Sequence, residues 1–486
     1  MTRVSVEQYD LIVIGGGMAG LPLSQKAALK GRNTALVEKE LLGGTCLNRG
    51  CIPTKTMIHS AKIMHHVRRA AEFGIVVGQA KADLQAIVRR KDEVVKPIRD
   101  GAYRGVGKIK NLSLVDGDAR FEGPGQLAVG ERLLESATVV INTGAEATIP
   151  PIDGLADVDY LTNRSALDLT ELPESLIIVG GGCVGVEFAQ MYARFGSRVT
   201  VLQRAERLVP NEELEISAVL MDVFQSERID VVTKASVVGV KQSGGTFVVS
   251  ARVGAELKTF QSTRLMLAAG RTPNTASLNL EVVGVETDRA GFIKIDNRFR
   301  TSAEGIWAMG DVTGPPMFTH SARDDADILY RAIIKGDPAA TVDHRLVPHA
   351  VFTDPAIGSV GLTEAEARKA GYTLKIGVQP FKAVAKARAI GETDGFIKII
   401  ADDQTDKILG AHIIGPEGDN LIHELSLPCT SAPPFMTSPE PCTSTRPWRK
   451  ASTLQPAACT ARKVRNEARA AADTAYIAPL DSSTDC

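Results

Sequence analysis

Two cysteines five positions apart, Cys46 and Cys51, stand in the run G-G-T-C-L-N-R-G-C-I-P-T-K over residues 43–55. Such a pair can store two electrons by closing to a disulfide and return them by opening, provided a helical turn brings the two side chains together. Zinc is the other common use of neighbouring thiolates. His59, His65 and His66 follow, but their spacing resembles no closed structural ligand set, so no metal site is expected. The chain has seven Cys, an odd count without a regular framework, which argues for a catalytic pair over a secreted disulfide scaffold.

Electrons must reach those sulfurs, and the sequence just before them offers a carrier site. Residues 11–20 read L-I-V-I-G-G-G-M-A-G: an apolar run suited to a buried parallel strand, then Gly15, Gly17 and Gly20 in G-x-G-x-x-G spacing. The first two glycines let backbone approach a pyrophosphate at a helix N-terminus, and the third lets helix pack on strand. A second strand, T-A-L-V-E, ends in Glu38, where an acid grips an adenosine ribose.

Shifted by 165 residues the pattern recurs as L-I-I-V-G-G-G-C-V-G, with Gly180, Gly182 and Gly185 in the same spacing. The repeat predicts two dinucleotide-binding units. The counterpart of Glu38 is Gln203, followed by Arg204 and Arg207, so the acid is missing and cations suited to a 2′-phosphate take its place. The first site is read as FAD and the second as NADPH, with NADH possible. A solvated surface role is the other reading of the two arginines.

Composition narrows the partners. The 486 residues carry 56 Lys plus Arg against 57 Asp plus Glu, so no global basic field exists to hold nucleic acid or an anionic membrane. No apolar run reaches membrane-spanning length, and M-T-R-V-S-V-E-Q-Y-D leads straight into the first strand without a signal peptide. A cytoplasmic protein is expected.

Taken together, these motifs resemble the FAD-dependent pyridine nucleotide-disulfide oxidoreductases over about residues 9–427. The resemblance implies that Cys51 is the sulfur beside the flavin, a charge-transfer thiolate, and that Cys46 is the interchange thiol that meets substrate. It pairs Lys55 with Glu187 near the flavin N5, and adds Gly44 and Thr45 to the FAD contacts. Thr143 and Gly144 match the chain's return to the FAD domain, Gly270 the crossing after the nucleotide domain, and Gly310 with Asp311 the second flavin motif, whose carboxylate meets the ribityl chain. The acceptor is then a small disulfide, a dithiol or a metal ion, in a mercuric-reductase-like or dihydrolipoamide-dehydrogenase-like homodimer. A flavoprotein diaphorase and a non-catalytic flavin-binding protein are the alternatives.

The fold class that follows is α/β, with two Rossmann-like domains for FAD and NAD(P) and an α+β dimerisation domain. Its expected bounds are 1–145 for the first FAD segment, 146–270 for NAD(P), 271–345 for the second FAD segment and 346–427 for an incomplete interface domain. Within the last, Ala356 stands where the family usually has Glu, and the family's H-P-T-x-x-E motif is absent. Residues 428–486 hold 8 of the 24 Pro, 4 of the 7 Cys and none of the 44 Gly. A disordered tail is one reading of that shift. A frameshift is the favoured one: joining the last base of each codon to the next two, with allowed synonymous codons, turns Glu440–Lys450 into G-A-V-H-V-H-P-T-L-A-E. The missing base is then encoded but untranslated, and turnover and dimerisation should be impaired.

Overall fold

The computed structural model describes residues 6–343 and 345–430. The expected break at 428 falls at its edge, so the rest of the 428–486 segment, with its shifted reading frame, lies outside the described residues.

The Leu11–Ile14 run is buried on both faces, as expected of a central parallel strand. It pairs with Thr34–Glu38 on one side and Val139–Ile141 on the other, in a five-stranded parallel sheet completed by Leu112–Asp116 and Ile306–Ala308. A second parallel sheet is built around Ser175–Val179, flanked by Arg198–Leu202 and Arg264–Leu267, with Asp230–Val232 at its edge. The 165-residue repeat extends to strand register: Leu11 pairs with Thr34, and Leu176 with Val199.

The backbone explains the repeated glycines. Gly15 and Gly180 have φ of +103° and +113°, and a Cβ on either would lie 2.2 Å from a carbonyl oxygen, of Asn142 and of Ala268. Only glycine fits such a turn. Helices follow at Gly20–Leu29 and Cys183–Phe195.

The third sheet is antiparallel and five-stranded, running His349–Val351, Ala356–Gly361, Ile408–Gly415, Phe396–Asp402 and Leu374–Pro380. One row of cross-strand partners is polar: His349 faces Ser359, Ser359 faces His412, and His412 faces Lys398. Two consecutive carboxylates of the nucleotide unit meet that row. Glu212 accepts from Ser359 and binds His349, while Glu213 binds Lys398. The buried Lys398 ammonium also holds Glu215 and Glu364 at 2.8 Å each, so this three-carboxylate cluster has a protein cation at its centre. Among the described residues no helix is long and apolar enough to cross a membrane.

Candidate active site

The redox run folds as two short-spaced helices and not as one turn. Gly43, at φ +95°, starts the Gly44–Arg49 helix; Gly50 then breaks the chain, and Cys51 opens the Cys51–Arg68 helix. A Cβ on Gly50 would sit 2.9 Å from the Thr45 carbonyl oxygen, so the break is as tight as glycine allows. Asn48 braces the first helix by donating from Nδ2 to the carbonyls of Leu42 and Gly44, both at 3.0 Å.

Cys46 and Cys51 are free thiols here, half-buried and hydrogen-bonded to one another. That bond splits their acidities. It pulls Cys51 down to about 6 against the opposing effect of burial, with help from the Thr319 hydroxyl at 3.2 Å and the Lys55 charge. Cys46, whose thiol supplies the bond and is itself buried, is pushed far above the usual thiol range. The reduced pair therefore holds one proton, on Cys46, with the charge on Cys51.

One turn along from Cys51, Lys55 reaches across to the nucleotide unit. Its Nζ bonds both oxygens of Glu187, at 2.9 and 2.8 Å, and lies 4.3 Å from the centre of the Phe352 ring. Glu187 also accepts the Phe352 N–H at 2.9 Å, so a nearly buried carboxylate is satisfied on three sides.

These groups line a cavity of about 750 Å³. Gly15, Gly17, Glu38, Gly44 and Thr45 belong to the same wall system, as do Thr143, Gly144, Gly310 and Asp311. Gly20 lies behind it, its Cα facing the Gly15 carbonyl so closely that a Cβ would approach to 2.0 Å. Gly180, Gly182, Gly185, Gln203, Arg204, Arg207 and Gly270 lie outside that cavity, which the helix after the second turn meets through Cys183, Val184, Glu187 and Phe188.

The cavity fits an adenine dinucleotide at the first turn. Gly17 leaves room in front of its Cα, where a Cβ would make only ordinary contacts. Asp311 lines the wall with burial raising its proton affinity; among the described residues no hydrogen bond reaches its carboxylate, and the nearest cation, Arg271 Nε, is 3.8 Å away. An acceptor so placed suits a ligand hydroxyl. The second turn fits likewise: a Cβ on Gly182 would meet nothing within 4 Å.

Glu38 and Gln203 occupy equivalent places. Glu38 Oε2 accepts the Gly16 N–H at 2.8 Å, and Gln203 Oε1 accepts the Gly181 N–H at 3.1 Å. Arg204 is exposed and makes no ion pair among the described residues. Arg207 behaves otherwise: its Nη2 donates to the carbonyls of Pro210 and Glu212, at 2.6 and 3.0 Å, so that cation shapes its own loop.

Further residues complete the cavity wall. Asn142 donates from Nδ2 to the Gly15 carbonyl at 3.0 Å, fixing the turn from the neighbouring strand. Thr319 and the stacked rings of His320, Phe318 and His349 come from a helix start and an edge strand. Burial lowers the proton affinity of His320.

The family described as pyridine nucleotide-disulphide oxidoreductase matches residues 9–326, and its dimerisation domain matches residues 347–432. The chain belongs to this family. It uses FAD and NAD(P)H. Among curated relatives, dihydrolipoyl dehydrogenase 2, mitochondrial, of Arabidopsis thaliana is 36% identical over 430 residues, covering 87% of this chain and 84% of its own length. Mercuric reductase of Lysinibacillus sphaericus is 35% identical, with 87% and 78% covered. Among solved structures, the Cu(II) complex of the HOCl-induced flavoprotein disulfide reductase RclA from Escherichia coli aligns with a TM-score of 0.79 at 33% identity, covering 87% of this chain and 92% of that one. Membership of the family makes the chain an oxidoreductase of the class expected from its motifs.

Proposed function

We propose that the chain is an NADPH-preferring disulfide oxidoreductase that passes electron pairs through Cys51 and Cys46 to a small disulfide or a soft metal ion. The observation that carries this reading is the polarised Cys46/Cys51 pair in one cavity with the first glycine turn and the Lys55–Glu187 ion pair. The first glycine turn, Glu38 and Asp311 would hold FAD, which would supply the relay from the hydride of NAD(P)H to an electron pair on sulfur. The residues do the rest. Lys55 and Thr319 stabilise the Cys51 thiolate, and Cys46 attacks an acceptor disulfide, releases one thiol, and is then attacked by Cys51 to release the second. Soft metal ions enter as the alternative acceptor because thiolates favour them, and because relatives include mercuric reductases and a reductase solved with Cu(II).

The pair's one proton sits on the attacking sulfur, so exchange needs a base, and the sequence carries no H-P-T-x-x-E. Turnover of disulfides is therefore impaired relative to flavin reduction. That absence also favours a second reading, a diaphorase that delivers electrons directly to quinones or dyes. The dimerisation-domain match supports a homodimer, and a cytoplasmic setting belongs to the same reading of the sequence.

Anaerobic titration with NADPH, before and after alkylation of Cys46, tests the assignment. Alkylation should abolish disulfide and metal-ion reduction and leave dye reduction intact; loss of neither activity would make the sulfurs idle. Arg204→Glu should weaken NADPH use far more than NADH use, and equal losses would remove Arg204 from the coenzyme site.

A further inference from the structure

An unbroken line of hydrogen bonds joins the second glycine turn to a histidine in the redox cavity. The Gly181 N–H donates to Gln203 Oε1, Gln203 Nε2 donates to the Arg207 carbonyl at 3.0 Å, and Arg207 Nη2 donates to the Glu212 carbonyl. The Glu212 carboxylate then takes His349 Nε2 at 2.7 Å. Glu212 is 3% exposed and holds Ser359 on its other oxygen, whereas the imidazole is 26% exposed and lines the cavity. Phe318 fixes the ring plane by stacking at 5.3 Å. Among the described residues Nδ1 makes no hydrogen bond, which leaves one ring nitrogen for something else.

We propose that His349, oriented by Glu212, is a positioning residue for the nicotinamide half of NAD(P)H. The proposal rests on the reading of the Gly180–Gly185 turn as the NAD(P)H site. A dinucleotide whose pyrophosphate lies at the start of the Cys183–Phe195 helix has to extend its other half past Cys183 into the cavity to deliver hydride. Cys183 and His349 both line that cavity. The nicotinamide half offers a carboxamide and ribose hydroxyls, each able to bond an imidazole nitrogen. The hydrogen-bonded line fixes His349 to the frame that holds the pyrophosphate, so the two halves of one ligand are gripped by one connected structure.

The test separates those halves. Oxidised, FAD-loaded protein is titrated calorimetrically with NADP⁺ and with adenosine 2′,5′-bisphosphate, which lacks the nicotinamide half; NAD⁺ and ADP are run alongside. His349→Gln should weaken NADP⁺ binding about tenfold, the size of one ligand hydrogen bond, and leave bisphosphate binding unchanged. Glu212→Gln, which keeps an acceptor for Nε2–H, should show the same selectivity with a smaller loss. Equal weakening of both ligands would make His349 a structural clasp and overturn the proposal. So would unchanged NADP⁺ binding, including the case where thiol exchange slows instead and the imidazole serves the sulfurs. If the wild type binds neither pair of ligands, the nucleotide-site reading itself fails.

Discussion

At the scale of single residues, the division of labour between the sulfurs is set by their mutual hydrogen bond and supported by Thr319. Its hydroxyl lies 3.2 Å from Cys51 Sγ and helps hold the thiol down to about 6. In the two-thiol state the thiolate is therefore half-formed near that pH, largely formed by neutrality, and lost as the pH falls further. Replacing Thr319 by Val removes one hydrogen bond to a charged group. The midpoint should rise by about one pH unit, read from thiolate ultraviolet absorbance of the reduced protein. An unmoved midpoint would leave Cys46 and Lys55 as the whole cause. Thr319 was not legible in the sequence as a sulfur partner, because it is an ordinary residue type 268 positions away in the chain. Cys46, Cys51, Glu38 and the glycines were legible because each is tied to local geometry within a few residues. Arg207 was legible as a cation, but nothing in its neighbours announces that its guanidinium folds back onto carbonyls.

Among the elements, the two strand–turn–helix units were readable almost whole, since a buried parallel strand ending in G-x-G-x-x-G has few other ways to fold. Their equivalence gives a paired expectation. Gly15→Ala and Gly180→Ala each place a Cβ 2.2 Å from a carbonyl oxygen at a positive φ, costing at least about 1 kcal/mol of strain. Gly15→Ala should purify with reduced flavin content. Gly180→Ala should keep its flavin, as absorbance at purification will show, and lose nucleotide affinity in titration. If the two variants share one phenotype, the units do not hold separate ligands. The break at Gly50 was harder to foresee: a single helical turn and a two-helix step both bring positions 46 and 51 together, and φ of −136° with ψ of −113° is visible only in coordinates.

For the whole molecule, the seam between nucleotide unit and antiparallel sheet is the feature least legible beforehand, because its partners are 137 to 185 residues apart. Burial opposes ionisation of Glu212 and Asp354, yet His349 and Arg194 more than offset it and hold both carboxyls below their ordinary range. Lys398 does the same for Glu364, and for Glu215 against burial. Carboxyls depressed in the folded chain bind protons more readily once unfolded, so their contribution is present above about pH 4.5 and is lost as the pH falls through their folded values. Acid unfolding followed by circular dichroism should begin below that point. Lys398→Met leaves the buried Glu213 carboxylate without its cation, and should destabilise the chain by about 3 kcal/mol in denaturant titration at neutral pH. A near-neutral effect would show that the cluster relaxes to solvent.

The matched contacts of Glu38 and Gln203 bear on how freely the charge beside each turn can vary. Each side chain props up its glycine turn through the N–H of the middle glycine, with a carboxylate oxygen in one copy and an amide oxygen in the other. The prop needs only an acceptor at that spot and is indifferent to charge. An acid and an amide can therefore replace one another at that spot without collapsing the loop, and the charge beside the turn can change separately from the fold.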